Sequence, residues 1–178
     1  VMSREQVGMY AVYISTHGNM PDLFRNNPYA GELKDPLLYD VPKEYKEADS
    51  KFAAMLEEAE KFLGYPYVWG GSDPSTSFDC SGFVSWVLVN SGVKDVGRLG
   101  ATSLYGTLTP IREDEARPGD IIFFEGTLGE GVEGNDGITH CGIYVGDGMM
   151  IHCGSPISYA DLSRSYWQEH FYGYARAY

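Results

Sequence analysis

The sequence predicts an α+β domain, with N-terminal helices packed on a central antiparallel sheet, and three observations carry the prediction. Apolar residues recur at helical spacing in separate segments before about residue 110. From Pro118 onward the period changes to two and β-forming residues take over. Strands do not alternate with helices as a parallel βαβ sheet requires, and no internal repeat is present.

The elements follow in order. Residues 4–16 read as a helix, with Val7, Tyr10, Ala11 and Ile14 on one stripe. Ser3 and Gln6 have the spacing of a capping box, and Gly18, Asn19 and Pro21 end the helix. Residues 20–47 hold Pro21, Pro28, Pro36 and Pro42 and read as an extended connector. The domain division is therefore 1–46 for helix and connector, and 47–178 for the main body. Asp49 or Ser50 caps the next helix, whose stripe is Phe52, Met55, Leu56, Ala59, Phe62 and Leu63; Gly64 and Pro66 stop it. A Gly/Ser/Asp/Pro-rich loop, 65–79, leads to a helix over 80–91, capped by Asp79, with Phe83, Val84, Val87 and Leu88 on its buried face. A short helix is expected at 101–107. Strands are expected at Asp120–Phe124, Thr139–Val145 and Met149–Cys153, then near 157–159 and 171–177. The acidic, Gly-rich segment from Glu125 to Gly137 reads as a loop bordering the groove and limiting access to it.

Charge removes several function classes. The 178 residues carry 13 basic and 25 acidic side chains, a formal charge of −12. No basic stripe exists to neutralise phosphates or to meet an anionic membrane surface, so neither nucleic acid nor direct membrane contact is expected. No apolar run is long enough to span a bilayer and no signal peptide is visible. The chain starts with Val and is expected to be a piece of a longer protein, with export or anchoring signals upstream. A monomer is expected. Three cysteines do not make a disulfide scaffold.

Cys80 is the candidate nucleophile. It heads a helix, where unpaired N–H groups and the helix dipole favour the thiolate, and the thiolate is the reactive form. A thiolate needs a base and the base needs an orienting partner. His140 and His152 lie on consecutive strands. A two-residue loop would set them on opposite sheet faces. A three-residue loop, Gly146–Gly148, pairs Val145 with Met149 and sets His152 opposite Gly142, diagonal to His140 on the same face. That register is expected here, with Gly142 leaving room between the two rings. Cys141 and Cys153 then oppose each other on the other face, either as two small buried side chains or as a strained cross-strand disulfide. In this set Cys80 attacks a carbonyl, His140 is ion-pair partner and acid, His152 orients His140, and the Cys80 N–H stabilises the oxyanion. The alternatives are a core cysteine with two unrelated histidines, or a zinc site, although the spacing lacks the short clips typical of zinc. No metal and no cofactor is expected. His17 and His170 read as structural or surface residues.

Four ordered motifs carry a family resemblance. They are Gly64-Tyr-Pro-Tyr-Val-Trp-Gly-Gly71, Phe78-Asp-Cys-Ser-Gly-Phe-Val84, Arg117-Pro-Gly-Asp-Ile-Ile-Phe-Phe124, and the run from Ile138 to His152. From about residue 47 onward the chain resembles the NlpC family of bacterial cell-wall cysteine peptidases. The resemblance implies a papain-like α+β fold and cleavage of peptidoglycan stem peptides, typically between γ-D-glutamate and a diamino acid. It implies Cys80 as nucleophile, His140 as base and His152 as third residue. Tyr67, Trp69, Asp79 and Ser81 match positions that line the substrate pocket. Related wall enzymes imply two alternatives, an amidase of the sugar–peptide bond and a catalytically silent peptidoglycan-binding module. The chain as a whole is similar to C-terminal parts of proteins from conjugative elements of Gram-positive bacteria, which implies an extracellular or wall-associated location.

Overall fold

The computed structural model describes residue 37, residues 39–128 and residues 137–178. The chain divides into two compact units, 1–40 and 41–178, and all the described helices and strands lie in the second. The helix expected at 4–16 lies outside the described residues, as does most of the loop expected at 125–137.

Pro42 opens a six-residue helix, α1 (Lys43–Ala48), inside the stretch expected to be an extended connector. Its KEYKEA sequence has no apolar stripe, so periodicity could not reveal it. A Lys43–Glu47 pair at 3.0 Å supports it locally. Tyr45 ties it to the sheet, its hydroxyl donating to Asp147 Oδ1 at 2.7 Å. Asp49 then turns extended and caps α2 (Ser50–Glu60), accepting from the N–H groups of Lys51 and Phe52. Phe52, Met55, Leu56 and Ala59 form its buried face, as the stripe predicts.

A small hairpin, β1 (Ser72–Asp73) and β2 (Ser77–Phe78), delivers the chain to α3 (Cys80–Asn90). Phe83, Val84, Val87 and Leu88 of α3 are fully buried against the sheet. After α4 (Ala101–Thr107) come β3 (Thr109–Ile111), β4 (Ile121–Glu125), β5 (Ile138–Gly146), β6 (Met149–Cys153), β7 (Ile157–Asp161), α5 (Ser165–Glu169) and β8 (Phe171–Arg176). The six-stranded sheet runs β3-β8-β4-β5-β6-β7, with every neighbouring pair antiparallel. The N-terminal helices α2 and α3 and the later sheet match the expected order. β3, the β1–β2 hairpin and α5 were not expected; no strand or helix among them exceeds five residues, too short for a period to show.

The β5–β6 hairpin departs from expectation in its turn but not in its register. The turn is the two residues Asp147 and Gly148, with φ of 51° and 69°. Positive φ at both central positions is the hairpin turn that follows strand twist, and Asp-Gly is a favoured pair for it. Val145 does not pair with Met149; Gly146 does, and Tyr144 pairs with Met150. The odd residue sits in the strand as a bulge at Val145–Gly146 rather than in the loop. Parity is the same either way, so His152 lies opposite Gly142 as expected. Gly146 has φ 94° and faces the Tyr45 ring, which a Cβ would meet at 2.5 Å.

Candidate active site

Cys80 owes its placement to Asp79. Asp79 is extended and caps α3, its Oδ1 accepting from the Gly82 N–H at 2.7 Å. The first turn of the helix closes with the Phe83 N–H on the Asp79 carbonyl at 3.0 Å. The N–H groups of Cys80 and Ser81 precede that bond, at the positive end of the helix. The incoming arm is pinned as well. The Asp79 N–H donates to the Gly71 carbonyl at 3.0 Å, and the Gly70 N–H donates to Asp79 Oδ2 at 3.1 Å. Glycine is required at 82, because a Cβ there would lie 2.1 Å from the Gly71 oxygen.

Cys80 is 6% exposed and its Sγ lies 3.7 Å from the Thr139 carbonyl, beside His140 on β5. Its thiol is held well below the ordinary value. A hydrogen bond from Cys141 is the largest cause, and His140 adds a hydrogen bond and a charge; burial and the Asp79 charge oppose them. Burial pushes the Cys141 thiol well up, with Cys80 adding to it, so Cys141 keeps its proton and donates. Cys153 is also pushed up by burial, and its thiol donates to the Phe78 carbonyl at 3.2 Å. All three cysteines are free and buried, so Cys141 and Cys153 are two small buried side chains and not a disulfide.

His140 Nε2 and His152 Nδ1 are 2.8 Å apart. Burial, and secondarily the charge of His140, hold His152 well below the ordinary imidazole value. When His140 carries both ring protons, its Nε2–H donates to Nδ1 of a neutral His152. His140 Nδ1 is then the nitrogen left to serve Cys80. Two glycines make the room: a Cβ on Gly142 would lie 3.0 Å from His152 Cβ, and one on Gly154 2.8 Å from His152 Cε1.

The other expected site residues are spread more unevenly. Tyr67 bridges in parallel to Phe78, and burial, then Cys80 and Asp79, push its hydroxyl up, so it remains a donor. Ser81 Oγ donates to Asp79 Oδ1 at 3.1 Å. Trp69 stands 76% exposed, on the turn before Gly70. Among the described residues no group of three or more His, Cys, Asp or Glu side chains is placed to hold a metal ion.

A family profile, described as the NlpC/P60 family, matches residues 64–176, more than half of the chain and all of the site. The chain belongs to the NlpC/P60 family. Its fold is the papain-like α+β arrangement. It is 43% identical over 126 residues to the bifunctional muramidase/DL-endopeptidase CwlT of Bacillus subtilis, covering 70% of this chain and 36% of that protein. It is 33% identical over 144 residues to a gamma-DL-glutamyl hydrolase of the same organism, covering 80% of this chain and 30% of that one. The chain thus spans about a third of the length of these two relatives. The crystal structure of an NLP/P60-family protein, similar to lipoprotein, from Staphylococcus aureus superposes with a TM-score of 0.64 at 29% identity, covering 98% of this chain and 62% of that one.

Two residues of this NlpC/P60 site have no signature in the sequence. Arg98 donates from Nη2 to Asp79 Oδ2 at 2.5 Å and from Nη1 to Ser81 Oγ at 3.1 Å. It lies in the irregular segment between α3 and α4, where no pattern points inward. Trp167 covers the two histidines from α5, a helix too short to show a stripe.

Proposed function

We propose that this chain is a cysteine endopeptidase of peptidoglycan stem peptides, acting at the γ-D-glutamyl–diamino acid bond. The observation that supports it most is Cys80 at the start of α3, with its thiol held low, beside a hydrogen-bonded His140–His152 pair. The Cys80 thiolate attacks the scissile carbonyl carbon, and the Cys80 N–H takes the oxyanion. The oxyanion collapses, the C–N bond breaks, and the Nδ1–H of His140 protonates the departing amine, leaving a thioester. Neutral His140 then deprotonates water, which attacks the thioester and releases the acid and the thiolate. His152 holds the His140 ring in the tautomer this requires. Tyr67, Asp79, Ser81 and Trp69 line the approach to Cys80, with Asp79 already paired to Arg98. The names of the two Bacillus subtilis relatives favour a DL-glutamyl bond. Such a substrate lies outside the membrane, in the wall. The test is digestion of defined muropeptides with mass-spectrometric identification of products. A new amino terminus on the diamino acid is expected, and Cys80→Ala should abolish it. Release of intact stem peptide from the sugar would make it an amidase, and unchanged cleavage by Cys80→Ala would exclude the mechanism.

A further inference from the structure

The orienting residue of this site brings no charge. His152 is held neutral by burial, so it gives His140 an acceptor but no counter-ion. His140 is itself 9% exposed, and a protonated imidazole there has lost most of its water. Among its described partners the Cys80 thiolate is the only anion.

The aromatic groups around it fill the gap. Trp167 on α5 lies nearly parallel to the His140 ring, with centroids 5.7 Å apart and planes 26° apart. The same indole meets His152 edge to face, at 5.1 Å and 84°, and rests on Phe124 at 4.8 Å. One ring therefore touches both histidines from the sheet face opposite α3. An indole face is the strongest π partner that proteins offer a cation, effective within about 6 Å of the centroid. The residue is also fixed in place: the Trp167 backbone N–H donates to the Arg164 carbonyl at 3.1 Å, and the Gln168 side chain ties the next position to the Leu162 carbonyl at 2.6 Å.

We propose that Trp167 is a positioning residue of this site, its π face carrying the charge of protonated His140 and so maintaining the thiolate–imidazolium pair with Cys80. The proposal rests on the Cys80–His140 reading above, but its test reads the thiolate directly and needs no peptide cleavage. The measurement is the rate at which iodoacetamide alkylates Cys80 at pH 7, followed by mass spectrometry of the Cys80 peptide in the full chain. Trp167→Leu should slow it by about fivefold to tenfold, and Trp167→Phe should recover part of that. Tryptophans bearing one, two and three ring fluorines, placed site-specifically at 167, keep the shape while draining the π face. Alkylation should fall stepwise along that series, and muropeptide kcat should fall with it while KM holds. The fluorinated series decides by itself if Trp167→Leu does not fold. A rate that is flat across the series, or a Phe variant no faster than Leu, overturns the proposal. Cleavage that survives Cys80→Ala would instead sink the parent reading.

Discussion

Replacing Cys141 with alanine removes the donor that does most to hold the Cys80 sulfur as a thiolate. An anion that loses a hydrogen bond is protonated more easily, so the acid limb of kcat/KM should move to higher pH. Cys141→Ser keeps a donor and should restore much of the original profile. The paired measurement is Cys80 alkylation at pH 6, slower in the alanine variant. His152 supports a stability prediction. Its folded value lies well below the unfolded one, which is about 6.5. Below pH 6.5 the unfolded chain therefore binds a proton that the folded chain refuses, and stability falls as pH drops from 6.5 toward the folded value. Thermal melts from pH 7.5 to 5 should show that loss, and His152→Gln should flatten it.

Two close approaches between elements hold the site together. The first turn of α3 lies against the Gly71 carbonyl so tightly that only glycine fits at 82. Gly82→Ala should cost about 1–3 kcal/mol of stability. It should lower kcat/KM more than a surface change of equal cost, because the helix end that carries Cys80 must move. Urea denaturation and muropeptide kinetics on one preparation check both. The other approach is the β5–β6 hairpin. Its histidines share a face because one surplus residue sits between Tyr144 and Met149, and sheet parity does not depend on whether loop or strand holds it. Residue counting could therefore reach the correct face from the wrong turn. The Asp147-Gly148 pair settles the turn type, and the Tyr45 ring, far earlier in the chain, stands where a side chain at 146 would go.

For the molecule as a whole, the far end of the sheet is closed by a buried carboxylate. Asp120, 2% exposed at the head of β4, takes Nε and Nη2 of Arg176 on β8 at 2.8 Å each, and the Arg117 N–H at 2.8 Å. Arg176→Met strands that charge and should destabilise by about 3–5 kcal/mol, while adding Asp120→Asn should recover part of the loss. Chemical denaturation of the single and double variants measures it. The net charge of −12 belongs to this scale too: it offers anionic polymers no electrostatic attraction.

Local signals were enough for much of this. The Asp79 cap, the glycines and the apolar run after Cys80 place a cysteine at a helix start, and alternating residues around His140 and His152 place two histidines on paired strands. These features act over a few residues, where capping, period and pleat are dictated by covalent geometry. What brings Cys80, His140 and Trp167 to one point is the packing of α3 and α5, distant in the chain, on opposite faces of the sheet. Arg98 on Asp79, Trp167 on the histidines and Cys141 on Cys80 are contacts of that kind. No period marks them, because burial against a partner distant in sequence is a property of the assembled core and not of any window of the chain.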